Sequence, residues 1–274
     1  LYSKELLKKL WKYSLPLIPN AISWWIFNSS DRIIVSSILG IGDNGILSAA
    51  YKFSSVYITI YNIFNMTWTE SASLHIDDKD NNKFFSKIID TTLRLFTAIC
   101  FGIIVCMPFI FPVMINEKFG QAYNQIPILM ISSLFNVVVG LISVIYIAKK
   151  DTKAVAKTSI CSAIINVVVN LALIKFVGLY AASISTLAAY LIMSIYRMYD
   201  VRKYIKIDLN KKFIISATVM IPIIFVCYYI NNLYLNIIII LLVLVYAWLV
   251  NRKSVNLITN MIKEKFLKKG AQNG

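Results

Sequence analysis

The stretch LYLNIIIILLVLVYAWLV, residues 233–250, decides the class of fold. From Ile237 to Val245 every residue is apolar. A transmembrane strand would alternate apolar and polar residues, whereas an α-helix crosses a bilayer with about 20 predominantly apolar residues in a row. The stretch therefore predicts a transmembrane helix, and the same pattern recurs along the chain.

The composition of the whole chain agrees with a membrane protein. Of its 274 residues, 58% are apolar, and the mean hydropathy is +0.70. A soluble domain of this composition would lack a polar surface, so a soluble globular domain and a disordered chain are both excluded. The net charge of +15 comes from 28 basic against 13 acidic residues. In so apolar a chain we expect these basic residues at the inner membrane edge, and no nucleic-acid partner.

Eight segments are long and apolar enough to be predicted as membrane spans. Glycines at 40, 42 and 45 separate the first two, and Asn231–Asn232 separates the last two. The expected fold class is all-α, a polytopic membrane helix bundle of about eight transmembrane helices. The predicted spans are 14–40, 43–74, 84–115, 122–148, 153–175, 178–200, 212–231 and 233–250.

The distribution of basic residues predicts the orientation of these spans. With the N-terminus in the cytoplasm, 24 basic residues fall on the inner side, and only Lys118 and Lys175 lie in outer loops. This asymmetry predicts eight helices with both termini cytoplasmic. Residues 1–12 and 252–274 alternate apolar and basic side chains, which predicts amphipathic helices on the anionic lipids of the inner leaflet.

The cysteines and the histidine of the sequence do not form the pattern of a metal or catalytic centre. The four cysteines lie inside apolar runs without metal-ligand spacing, which is typical of small buried hydrophobes. The single histidine, His75, lies beside acidic residues and is expected on a wet loop. We therefore expect no metal, no cofactor and no enzymatic activity.

Three charges fall near the middle of the first two predicted spans: Asp31, Arg32 and Lys52. Arg32 and Lys52 each lie ten residues from Gly42, which places both about 15 Å below the outer turn of a helical hairpin. A charge at mid-bilayer costs ~2.5–3.5 kcal/mol on insertion scales, so such charges need a function or a partner. Asp31 is expected within ion-pair reach of one of the two cations.

Polar residues recur at helical spacing around these charges. Two facing stripes predict a water-filled cavity with a cationic centre, suited to an anionic ligand such as a phosphate group. The alternative is a structural pair of Asp31 with one cation that locks the two helices. The candidate cavity residues are Arg32, Lys52, Asp31, Asn28, Trp24, Ser55, Thr59 and Asn62.

Part of the sequence resembles a known family. The stretch SLPLIPNAISWWIFNSSDR, residues 14–32, resembles the seventh membrane helix of Wzx-type polysaccharide and O-antigen flippases. The motifs Ile38-Leu-Gly, Asn44-Gly, Ala50-Tyr-Lys-Phe and FNMTWTES at 64–71 resemble the eighth helix. This family belongs to the multidrug/oligosaccharidyl-lipid/polysaccharide exporter (MOP) superfamily, and the likeness covers about residues 8–75.

The resemblance implies a fold, a function and a location. It implies a bacterial inner-membrane protein that moves undecaprenyl-diphosphate-linked oligosaccharide by alternating access between two six-helix lobes. Its charged cavity positions fall on Asp31, Arg32 and Lys52. It also implies the following division: a cytoplasmic amphipathic segment at 1–12, a six-helix C-terminal lobe at 13–206, two additional helices at 207–251 and a basic tail at 252–274.

The same resemblance implies a missing partner lobe, and two alternative functions remain open. The N-terminal six-helix lobe is absent and is expected as a partner; the chain opens at Leu1 without a signal peptide, as a piece of a longer protein would. Alone, the chain is not expected to transport. The alternatives are a MATE-type multidrug/cation antiporter, which should favour acidic cavity residues, and a membrane-embedded polysaccharide polymerase or glycosyltransferase, which should need long outer loops.

Overall fold

A computed structural model describes residues 3–15 and 17–272, with side chains described except those of residues 9, 13, 17, 28, 253, 254 and 257–272. All longer elements in these residues are α-helices, joined by short turns. The predicted all-α membrane helix bundle is thereby confirmed. The helices are α1 (Lys4–Ser14), α2 (Leu17–Ile38), α3 (Ile41–His75), α4 (Asn81–Met114), α5 (Ala122–Ala148), α6 (Thr152–Val177), α7 (Tyr180–Asp200), α8 (Lys211–Ile230) and α9 (Leu233–Gln272).

The helices follow the predicted spans closely. From α2 to α8, each helix begins and ends within three residues of its predicted span, whereas α9 continues to Gln272, past the predicted end at residue 250. By length and apolar composition, six of the described helices can cross a membrane. α2 and α3 are not among them, and these two carry the polar stripes. The number of eight spans stays a prediction.

The turns form where the sequence supplies residues that tolerate a left-handed backbone. Gly40, between α2 and α3, has a φ of 120°, which few residues with a side chain adopt. Asn231 ends α8 with a φ of 48° and a ψ of 45°, and asparagine is among the few non-glycine residues that adopt this conformation. Both breaks fall where the sequence predicts them.

Packing makes α5 the central helix of the described bundle. α5 packs most extensively against α3 and α7, while α6 packs against α2 and α7. On one side α5 meets α3 so closely that a Cβ at Gly140 would lie 2.8 Å from ring atoms of Tyr61. This glycine therefore sets the distance between the two backbones.

The last two helices pack on the outside of this bundle. α8 and α9 both contact α4, and over Lys211–Ile230 and Leu233–Arg252 few of their side chains are buried, as expected of helices that face lipid. α1 is amphipathic, as predicted: Leu6, Leu7, Leu10 and Trp11 are all exposed, and Ser3 caps its first turn by accepting from the Leu6 amide at 3.3 Å. The amphipathic face predicted for the tail lies outside the described side chains.

Candidate functional site

A cavity of about 520 Å³ opens between four helices of the bundle. Its volume lies within the range of ordinary small-molecule sites. The lining residues come from α2, α3, α5 and α7: Phe27, Ser29, Arg32, Ser48, Tyr51, Lys52, Ser54, Ser55, Ile58, Leu129, Ser133, Asn136, Thr186 and Tyr190.

Both predicted cations line this cavity. Arg32 and Lys52 have exposed side chains, and neither takes part in any ion pair among the described residues. The guanidinium carbon of Arg32 lies 5.9 Å from the ring centroid of Tyr51, within the range of a cation–π contact. The cavity lining therefore carries two positive charges and no carboxylate.

Asp31 lies behind the cavity wall, in a network of neutral donors. Only 1% of the residue is exposed. Thr186 and Tyr51 donate to its Oδ2 at 2.6 and 2.9 Å. Asn170 and Ser185 donate to its Oδ1 at 2.6 and 3.5 Å. The carboxylate thus connects α2 with α3, α6 and α7.

The predicted ion pair of Asp31 with Arg32 or Lys52 is wrong. Among the described residues, the ion pairs do not include Asp31, because hydroxyl and amide donors from other helices already occupy its oxygens. The sequence pattern could not show these donors, since they come from residues 20 to 155 positions away.

The other candidate residues are divided between the cavity and its surroundings. Ser55 lines the cavity, and its hydroxyl donates to the Lys52 carbonyl at 2.8 Å. Thr59 and Asn62 are exposed and lie outside the lining, because the stripe on α3 continues beyond the cavity.

Trp24 lies beside the cavity rather than in it. Its ring contacts Phe27 and Tyr190, with centroids 6.2 and 6.1 Å apart, and both of these rings line the cavity. Asn28 lies on α2 between Trp24 and Arg32, but its side chain is outside the described residues.

Sequence reasoning missed the contribution of α5. Leu129, Ser133 and Asn136 all line the cavity and are spaced i, i+4 and i+7, so they share one face of the helix. Two polar residues in a long apolar helix give only a weak stripe. The signal was the spacing of Ser133 and Asn136, without any charge to mark it.

Sequence reasoning also missed the burial of Arg197, which is one of the 24 basic residues predicted on the inner side. The residue is 1% exposed and donates to hydroxyls and carbonyls of α5 and α6. It follows Ala181, Ser185, Ala189 and Met193 at intervals of four, and this buried face of α7 was the signal. Its acceptors are Thr158, Ser159 and Ser143 through hydroxyls, and Val155 and Val139 through carbonyls.

The polar residues of α6 connect neighbouring helices. Ser162 donates to the Ala189 carbonyl at 3.1 Å, and Asn166 donates to Ser185 and Thr186 at 3.3 Å each. Within the bilayer such bonds hold neighbouring helices together. They also position Thr186 beside Asp31.

Comparison with solved structures decides the fold. An outward-facing multidrug resistance MATE family transporter of the MOP superfamily aligns with a TM-score of 0.63 and 15% identity, over 80% of this chain and 52% of that one. The lipid II flippase MurJ, in an inward closed conformation, aligns with a TM-score of 0.64 and 19% identity, over 93% of this chain and 57% of that one. The chain has the fold of the MOP superfamily. It spans between about half and three-fifths of the length of these two structures.

Comparison with protein families gives a match to a family of polysaccharide biosynthesis. Residues 2–127 match a family described as polysaccharide biosynthesis protein. This confirms the resemblance to Wzx-type flippases, and the matched range includes Asp31, Arg32 and Lys52. A search of curated protein sequences gave no match.

Proposed function

We propose that this chain is part of a bacterial flippase that moves undecaprenyl-diphosphate-linked oligosaccharide across the inner membrane by alternating access. The observation that carries the proposal is the charge of the cavity: Arg32 and Lys52 line it without any carboxylate. The polysaccharide biosynthesis family match over residues 2–127 supports the same substrate class.

The positive charge of the cavity complements the negative charge of the proposed substrate. A diphosphate that joins a lipid to a sugar has one ionised oxygen on each phosphate, so it carries two negative charges. Arg32 can offer a planar fork to one phosphate and Lys52 a mobile point charge to the other. Because neither cation is paired among the described residues, the ligand would not have to displace a protein carboxylate.

The burial of Asp31 argues against the antiporter alternative. A carrier of cationic drugs needs negative charge within its cavity. Asp31 is 1% exposed, lies outside the cavity lining and already accepts hydrogen bonds from four residues. A cationic ligand in this cavity would meet Arg32 and Lys52 instead.

The outer loops argue against an enzyme of the same pathway. A membrane-embedded polymerase or glycosyltransferase would be expected to place acidic or basic catalytic groups on long outer loops. The turn between α4 and α5 is the longest predicted outer loop, and its central element is the 3-10 turn Glu117–Phe119. We therefore keep transport without catalysis as the proposed activity.

We further propose how the chain is organised. Residues 13–206 would form one six-helix lobe, with 207–251 adding two helices and both termini in the cytoplasm. Residues 1–12 and 252–274 would rest on anionic inner-leaflet lipids. The first six-helix lobe would then supply the opposite wall of the cavity, since alternating access moves one repeat against the other around a shared site.

Export of polysaccharide from cells tests the proposed function. In the full-length protein, Arg32→Ala and Lys52→Ala should each abolish surface polysaccharide at unchanged protein level. Lys52→Arg should be partly tolerated, because it keeps the charge. Lys175→Ala, at the end of α6, is the matched control and should export normally. Normal surface polysaccharide in the Lys52→Ala cells would overturn the proposal.

A further inference from the structure

Five polar side chains line the cavity and make no side-chain hydrogen bond among the described residues: Ser29, Ser48, Ser54, Ser133 and Asn136. The hydroxyl of Ser54 is also buried without a partner among these residues. Because an unpaired polar group inside a protein is costly, buried hydroxyls normally find an acceptor. The five groups are thus available to a ligand.

Two serines on α5 outside the cavity lining bond to the backbone of their own helix. Ser132 donates to the Ile128 carbonyl at 2.9 Å, and Ser143 donates to the Val139 carbonyl at 2.6 Å. Each bond returns to the preceding turn of the same helix, as serine can do within a helix. Ser133 is next to Ser132 in sequence and could make the same bond, but it does not.

Four of these five groups lie on α3 and α5. Ser133 and Asn136 are one helical turn apart on α5, and Ser54 is two residues after Lys52 on α3. Ser54 and Ser133 are only 5% and 7% exposed. Neutral hydrogen-bonding groups therefore lie in the same cavity as the two cations, and α5 contributes to the lining without a charge of its own.

We propose that Ser133 and Asn136, assisted by Ser54, form a subsite for the sugar that is joined to the diphosphate. The inference rests on the proposed function, because it assumes that Arg32 and Lys52 hold the diphosphate. Serine and asparagine each offer both donors and acceptors, which matches the hydroxyl and amide groups of neutral hexoses and N-acetylhexosamines. The subsite would recognise the sugar, whereas Arg32 and Lys52 would bind the diphosphate, which all such lipids share.

The charge of the lining restricts the class of sugar. The lining holds no carboxylate, so the amine of a cationic sugar would lie among Arg32, Lys52 and neutral groups. A site built to hydrogen-bond a hydroxyl or an amide discriminates strongly against a ligand that lacks it, because the protein groups are then left unpaired. Sugar recognition should therefore depend on Ser133 and Asn136 more than on the cations.

Binding of lipids with and without a sugar tests the subsite. The full-length protein in lipid nanodiscs would be titrated with the methyl ester of undecaprenyl diphosphate, which keeps one ionised oxygen on each phosphate, and with undecaprenyl diphosphate carrying N-acetylglucosamine, glucose or galactose. We expect at least one sugar-bearing probe to bind about tenfold more tightly than the sugarless methyl ester. The double variant Ser133→Ala/Asn136→Leu should lose most of that advantage and keep its affinity for the sugarless methyl ester.

A control variant and distinct contrary outcomes separate a failure of the sugar subsite from a failure of the proposed function. Ser132→Ala removes the neighbouring hydroxyl that lies outside the cavity, and it should bind all probes as the wild type does. If no sugar-bearing probe binds more tightly than the sugarless methyl ester, or if the double variant weakens all probes by the same factor, the subsite is overturned. If the wild type binds none of these lipids, the proposed function itself fails.

Discussion

Tyr51 on α3 donates a hydrogen bond of 2.9 Å to the carboxylate of Asp31 on α2. The centroid of the same ring lies 5.9 Å from the guanidinium carbon of Arg32. One side chain thus contacts both the buried acid and the cavity cation, although these two residues are neighbours in sequence. The acid is engaged with α3, α6 and α7, and the guanidinium remains available to a ligand.

Replacing Asp31 by asparagine should destabilise the protein. Asp31→Asn turns one acceptor oxygen into a donor, so that either Thr186 and Tyr51 or Asn170 and Ser185 would face another donor. A buried donor left without an acceptor costs about 1–3 kcal/mol, and the melting temperature in detergent should fall accordingly. Asp78→Asn, on the exposed turn after α3, is the control. Equal melting temperatures for Asp31→Asn and wild type would show that the network contributes no stability.

Replacing Arg197 by methionine should also lower stability. The guanidinium donates to three hydroxyls and two carbonyls of α5 and α6, and its removal leaves part of these acceptors unpaired. We expect a loss of about 1–3 kcal/mol in the free energy of unfolding. Arg197→Lys should recover only part of it, because an ammonium lacks the planar fork.

The control for Arg197 is its exposed neighbour Arg202. Arg202→Met should leave the melting temperature close to that of the wild type, since Arg202 is exposed and makes no ion pair among the described residues. If Arg197→Met melts no earlier than Arg202→Met, Arg197 does not hold α5, α6 and α7 together.

Reporter fusions should place residue 231 and the C-terminus on opposite sides of the membrane. The 24-to-2 distribution of basic residues motivates this expectation, and the break at Asn231 between α8 and α9 is where the chain would turn on the side opposite the cytoplasm. A cytoplasmic signal from both fusions would contradict the orientation of the last helical hairpin.

The fold could be predicted largely from apolar runs and their breaks. The bilayer requires long helices with satisfied backbones, so positions such as Gly40 and Asn231 fixed the boundaries well. The exception is α9, which continues as a helix past residue 250 into the basic tail. There the composition changes from apolar to amphipathic without any helix-breaking residue, so nothing in the pattern ends the helix.

The site could be predicted only where charge marks it. Arg32 and Lys52 stand out because charges are rare in membrane spans, and both line the cavity. The partners of Asp31 and the neutral wall of α5 depend on which helices meet. Helical periodicity gives the face of a residue but not the neighbour of that face, so Thr186 and Asn136 could not be assigned from sequence.

The most direct test of the account is the affinity for a lipid diphosphate compared with a lipid monophosphate. The full-length protein in nanodiscs would be titrated with undecaprenyl diphosphate and undecaprenyl phosphate, in parallel with Arg32→Ala, Lys52→Ala and the control Lys175→Ala. Charge-assisted hydrogen bonds contribute about 1.5–3 kcal/mol, which corresponds to a change in Kd of about tenfold or more. The account predicts that the wild type and Lys175→Ala prefer the diphosphate by at least this factor, and that either cavity variant loses the preference. Unchanged diphosphate affinity in both cavity variants would contradict it.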